Sequence, residues 1–374
     1  MAAPPSAREG KPGWSKGRLI VAGVAPHARL LSHRASSADL WSSLDAFAVE
    51  GAGIHRLQSK HGTNLDAEAG RRFISYIKQA KEYFEATANV GPVSKPLLAY
   101  YFALNLTKAF LTAIDPATTK PDFIHHGASA KFVRKRRYRI EQESFTIGKK
   151  GVFHLLASRT GAKFCHEDSA RDGKTIALLR LLPYLPEACD LYTDSTDRLP
   201  KLLPITSCYP LFANKKGWLR VEIDRNTLRR HKLKPESVLK SCQIFGGSFR
   251  LVQSPESTVS YESTAAYTYG RSTQEAAPKL CSLYDKMLMA TDRSYRGPRR
   301  YLVISDRTDL HSHEAVAFLI LLHLSNMVRY RPQDVERLRA TRYFWLFSSW
   351  VDRACESYLL NLSSRITGEE HFVD

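Results

Sequence analysis

Two segments of the chain set sparse polar side chains into otherwise apolar runs, and these are the side chains whose types could do chemistry. The first, Pro96–Ile114, reads PLLAYYFALNLTKAFLTAI; Tyr101, Asn105, Lys108 and Thr112 stand at i, i+4, i+7 and i+11. On a helix that spacing gathers them into one stripe. A lysine on an apolar helix is costly unless its ammonium is paired, reaches water along its stem, or faces a polar cleft. The second segment, HEAVAFLILLHLSNMVRYRP, starts at His313 and sets His323, Asn326 and Tyr330 at i, i+3 and i+7, with Arg329 beside them. If the two helices pack together, Tyr101, Asn105, Lys108, Asn326, Arg329 and Tyr330 line one polar site suited to an anionic ligand such as a nucleotide. His126, in the triplet His125-His126-Gly127, and His323 are the candidate catalytic acid and base. Lys108 or Arg329 would then stabilise charge developing on a phosphate. Gly127 frees the backbone there to turn or to approach closely.

A third place is the run KFVRKRRYR. Lys131, Arg134, Lys135, Arg136, Arg137 and Arg139 are interleaved with Phe132 and Tyr138. Point charges alternating with stackable rings suit a phosphate backbone with exposed bases. Further basic pairs recur at Arg229-Arg230 and Arg299-Arg300, and 55 Lys+Arg against 37 Asp+Glu leave a formal charge of +18. That excess speaks about partners, not fold, and it makes nucleic acid, RNA or DNA, the expected partner. No cofactor is implied. The six cysteines are 19 or more residues apart, which excludes a CxxC-type zinc site or redox dithiol and fits reduced thiols in a cytoplasmic protein. A phosphate loop of the GxxxxGK[ST] type, GxGxxG, HExxH and a GxSxG elbow are all missing, so ATPase, Rossmann, zincin and α/β-hydrolase readings have no support.

The elements that must position these residues fall into four regions. Residues 1–35 form a basic, flexible lead with Glu9 as their one acid and one short strand expected at 18–24. Residues 36–130 read as helices: one from Ser36 or Ser37, one from about Asp66 to Ala86 with Phe73, Ile74, Ile77, Ala80 and Phe84 on one face, and one capped near Ser94. Residues 131–305 change to short β-branched and aromatic runs at 145–147, 152–156, 218–223, 243–252, 258–269 and 301–304, interrupted by a helix near 175–182. Residues 306–374 return to helices at 313–330, 333–341 and 343–365. The expected class is therefore α+β, with N- and C-terminal helices packing into one helical domain and a mixed, mainly antiparallel β region inserted between them. The longest apolar stretch, Ala315–Leu322, has eight residues against the roughly 20 that cross a bilayer, so no membrane partner is expected.

Two motifs resemble a known family. Tyr100-Tyr101-x-x-x-Asn105-Leu106-x-Lys108-Ala109 with the later His126-Gly127, and Leu324-Ser325-x-Met327-x-Arg329-Tyr330-x-Pro332, are similar in type and order to motifs of the bacterial YaaC-like family. Ala128 stands where that family usually has Leu after His-Gly, and the basic lead is long. The resemblance implies a fold over about 36–365 and no particular chemistry. Its helical part is similar to HEPN domains, many of them RNA-cleaving proteins of toxin or defence systems with an Arg-x4–6-His motif. Five such spacings occur: Arg56/His61, Arg159/His166, Arg225/His231, Arg307/His313 and Arg365/His371. Chance placement supplies about three, so the motif lends a nuclease no support.

Overall fold

The computed structural model describes residues 27–31, 37–119, 125–131, 139–162, 174–242, 247–252, 257–276, 279–280, 283, 289–292, 299–304 and 312–373. It divides into a helical unit, built from 29–200 and 307–374 with the short piece 292–298, and a β unit built mainly from 201–291 and 299–306. The N- and C-terminal helices thus share one unit and the β unit is inserted between them, as the periodicities predict.

In the helical unit, α1 (Ser37–Phe47), α2 (Ala52–His61), α3 (Ala67–Thr87) and α4 (Lys95–Ile114) come from the first half of the chain. The C-terminal half supplies α10 (His313–Tyr330), α11 (Pro332–Arg339) and α12 (Arg342–Thr367). Local chemistry fixes the starts. Asp66 accepts a hydrogen bond from the Ala69 amide at 2.6 Å and Ser312 one from Ala315 at 3.2 Å, each satisfying an otherwise orphaned first-turn donor. Helix α4 is the centre of the unit and packs on α3, α10 and α12. It is apolar enough to cross a membrane by composition alone, but 72% of its apolar window is buried inside the protein. Rings interlock around it: Phe102 meets Trp41, Phe84 and Tyr358 edge-on, and Tyr100 meets Phe318. Deep in the same core the Thr107 and Tyr358 hydroxyls bond at 2.6 Å.

A three-stranded antiparallel sheet, β2 (Ala128–Lys131), β3 (Ser144–Ile147) and β4 (Lys174–Ala177), lies in the same unit. The composition shift at 131 therefore falls inside the helical unit, and the unit boundary lies near 200. Short strands that lie beside helices share the helices' core, so a change of residue type need not mark a change of domain. Two local expectations are corrected. Residues 152–156, read as a strand, are part of α5 (Val152–Arg159). Val152, Phe153, Leu156 and Ala157 are buried at i, i+1, i+4 and i+5, a helical face that a short apolar run cannot distinguish from a strand. The helix expected at 175–182 is β4 followed by the one-turn α6 (Leu178–Leu181), because pairing with β3 captures its first residues. The short strand expected at 18–24 lies outside the described residues. At the ends of the chain β1 (His27–Leu31) pairs with β13 (Glu369–Val373), and short helix α7 spans Cys189–Thr196.

The β unit holds β5 (Leu202–Pro204), β6 (Ser207–Ala213), β7 (Lys216–Asp224), β8 (Phe249–Val252), β9 (Thr258–Ser263), β10 (Tyr267–Thr268), β11 (Met289–Asp292) and β12 (Arg299–Val303), with helices α8 (Arg225–Arg230) and α9 (Pro235–Ser241). The larger sheet runs β10-β7-β9-β8 with β6 also on β7; a smaller one runs β11-β12-β5. Its core gathers Leu219, Val221, Ile223, Val259 and Tyr261 from the sheet and Leu228 and Val238 from the helices.

Candidate anion-binding site

The two polar segments meet. Arg329 of α10 donates from Nη1 to the Tyr101 hydroxyl of α4 at 3.1 Å and from Nη2 to Asn326 Oδ1 at 2.8 Å. Its guanidinium lies 5.7 Å from the Tyr101 ring centre and 5.0 Å from that of Tyr330, which is 66% exposed. Beside Tyr101, the Tyr100 hydroxyl is 2.5 Å from His126 Nδ1. Tyr100 is wholly buried while His126 is exposed, so the ring is anchored from below at Nδ1 and its Nε2 has no protein partner among the described residues. Lys108 is half-buried, with its ammonium 5.4 Å from the Tyr76 ring centre and no carboxylate partner among the described residues.

The backbone that carries His126 is clamped. Val152 and Phe153 amides donate to the His125 and His126 carbonyls at 2.8 and 3.0 Å, and Gly148 donates to Gly127 at 2.9 Å. Gly127 has φ +76°, and a Cβ on it would come within 3.0–3.1 Å of the 150–153 backbone. Both uses expected of this glycine, the turn and the close approach, are realised. Gly151 opposes it at φ +110°, where a Cβ would sit 2.6 Å from the His125 oxygen and 2.7 Å from the Gly127 nitrogen. Gly151→Ala should therefore lower stability by about 1–3 kcal/mol in urea unfolding. Gly62→Ala is the control: it shares a positive φ of +62° but its Cβ meets nothing within 4 Å, and its smaller loss isolates the close approach.

Electrostatically the cluster is one-signed. His126 is exposed overall, but its ring is partly covered where it meets Tyr100; that partial burial lowers the imidazole below its ordinary value, and the nearby charges of Lys108, Arg329 and His125 lower it further. Burial likewise lowers the Lys108 ammonium. Burial raises the Tyr100 phenol, against the opposing pull of Arg329. Arg329 Nε has no hydrogen-bond partner among the described residues. An anion settling beside His126 would offset the neighbouring positive charges that hold its imidazole down.

Several predicted residues separate from this cluster. Asn105 is buried and donates its amide to the Tyr101 carbonyl at 3.0 Å, and Thr112 donates to the Lys108 carbonyl at 2.8 Å, so the polar stripe reaches solvent only at Tyr101 and Lys108. His323 is not brought to His126. It is fully buried, its ring edge-on to Phe145 of β3 at 5.6 Å and its Nε2 3.7 Å from Glu143. A wholly buried imidazole cannot meet a substrate, which leaves His126 as the one accessible histidine of the proposed pair. Of the basic run, Lys131 and Arg139 are exposed; Arg134, Lys135, Arg136 and Arg137 lie outside the described residues. Sequence reasoning placed α3 but missed its part in the site: Tyr83 stacks on Tyr101 at 5.3 Å and 24°, and Tyr76 lies under Lys108. Tyr76 and Tyr83 stand at i and i+7 beside the apolar face of α3, and that spacing was the available signal.

Among the described residues no group of three or more His, Cys, Asp or Glu is placed to hold a metal ion. The sequence model of a family described as YaaC-like protein matches residues 53–366. No curated protein and no solved structure matches the chain.

Proposed function

The chain belongs to the YaaC-like family, and from that premise we propose that it binds nucleic acid, seating a backbone phosphate among Lys108, His126 and Arg329. The observation that carries this reading is the convergence of those three side chains, from α4, the His-Gly turn and α10, with no carboxylate joined to any of them among the described residues. Partly exposed rings surround them, Tyr76, Tyr83, Tyr101 and Tyr330. Cations supply phosphate affinity and tyrosine faces accept bases whatever their sequence. Lys131, exposed five residues beyond His126, begins the basic run and continues the same sign of charge along the chain.

Fluorescence anisotropy with a labelled single-stranded oligonucleotide tests this. Affinity should fall linearly on a log–log plot against salt, by roughly 0.7 per phosphate contacted. The Lys108→Ala/Arg329→Ala protein should bind at least about tenfold more weakly. Affinity indifferent to salt, or a double variant that binds like wild type, overturns the reading. The buried Tyr100 floor and the half-buried Lys108 also favour a smaller occupant, a free nucleotide, which would show as a saturable thermal shift without oligonucleotide binding.

A further inference from the structure

The β unit carries a separate concentration of charge at the corner where β7 leaves the sheet. Between residues 225 and 240 stand Arg225, Arg229, Arg230, Lys232, Lys234 and Lys240 against one acid, Glu236. Arg229, Arg230, Lys232, Lys234 and Lys240 are exposed, and none has a carboxylate partner among the described residues. Hydrogen bonds and buried apolar side chains hold the corner. Asp224 caps α8 by accepting from the Thr227 amide at 2.7 Å, the Leu233 amide donates to Leu228 at 2.9 Å, and the Tyr261 hydroxyl donates to the Pro235 carbonyl at 2.9 Å. Leu228 and Val238 are buried beneath it.

One residue argues that charge, not conformation, chose the side chains. Lys232 has φ +55°, a left-handed conformation that glycine or asparagine takes at less cost. Placing lysine there adds conformational cost and like-charge repulsion, and the fold receives no ion pair in return. The apolar residues of the corner face inward, so the surface offers a lipid bilayer charge without anything to insert.

We propose that the α8–α9 corner is a second polyanion-binding surface, separate from the helical unit's cluster, that takes the phosphodiester backbone of nucleic acid. This rests on the reading that the chain binds nucleic acid but uses different residues. The test uses the full chain with Arg229→Ser, Arg230→Ser, Lys232→Asn and Lys234→Ser combined; asparagine keeps the left-handed turn, and circular dichroism confirms folding. A labelled 30-nucleotide strand should bind at least about tenfold more weakly, with a salt slope smaller by roughly 2–3, while a tetranucleotide held at the Arg329 cluster keeps its affinity. An equal loss when exposed Arg71, Lys78, Arg337 and Arg339 are neutralised instead would reduce the corner to net charge and overturn the proposal. So would an unchanged 30-mer affinity, or a loss confined to vesicles of phosphatidylserine and phosphatidylcholine. Tetranucleotide binding that ignores Lys108→Ala/Arg329→Ala would instead sink the cluster's assignment and leave the corner standing.

Discussion

Glu187→Gln should cost about 3–5 kcal/mol of stability in urea unfolding at neutral pH, the expected magnitude for stranding one member of a buried ion pair. Glu187 lies in the short turn Pro186–Ala188, its side chain wholly buried, in ionic contact with His313 Nε2 at the start of α10. The Asn361 side chain of α12 lies 3.0 Å from His313 Nδ1, and next to it Arg365 of α12 donates from Nε to Glu314 at 3.0 Å. Burial opposes ionisation of Glu187, yet the charge and hydrogen bond of His313 hold its carboxyl below the ordinary range. The same balance, with Arg365 as the partner, holds for Glu314. Three segments far apart in sequence are thus tied at the end of α10 opposite Arg329. Glutamine keeps the shape and removes the charge, so a loss under about 1 kcal/mol would mean a neutral hydrogen bond instead. Glu187→Leu with His313→Phe should lose less than the single change, because no charge is left without its partner.

Helix positions were legible because α4 and α10 carry long apolar periods closed by recognisable ends: Pro96 in the first turn, Ser312 as a cap, Pro332 after the last residue. The meeting of Tyr101 with Arg329 followed from the same periods, since two apolar helices with sparse polar stripes must bury against each other and their polar residues then collect where solvent still reaches. What periodicity could not show was which polar residues turn back onto their own helix. Asn105 and Thr112 do, because a short side chain on a buried face finds the carbonyl four residues earlier before it finds a ligand. The 152–156 run failed for the opposite reason: five residues are too few to separate a period of 2 from one of 3.6. His323 misled because six residues separate it from Arg329, which turns it toward β3 while Arg329 faces Tyr101.

That buried histidine makes the protein sensitive to acid in a predictable direction. Burial, aided by the charge of Arg331, lowers His323 to about 3, well under the ordinary 6.5 of an exposed imidazole. The unfolded chain therefore binds this proton at pH values where the folded one does not, and stability is lost as pH falls from about 6.5 towards 3. Each unit costs about 1.4 kcal/mol, so roughly 3 kcal/mol should be gone by pH 4.5. Facing His323 are Phe145, Glu143 and, through Glu143, Arg331, which grips that carboxylate at 3.0 Å with Nη1 and Nη2 and pairs with Asp334 at 2.6 Å. Burial raises Glu143 despite that grip. Its protonation in acid works in the opposite direction and offsets part of the loss. Both ring nitrogens of His323 lack hydrogen-bond partners among the described residues, so His323→Leu removes a titrating group without breaking a bond. Urea unfolding of the two proteins at pH 7 and 4.5 should show the variant losing about 2–3 kcal/mol less between those values. Equal losses would place the acid response elsewhere. Because β3 pairs with β2, and β2 continues directly from His126-Gly127, acid that loosens Phe145 from His323 should also loosen the turn that presents His126 to a phosphate.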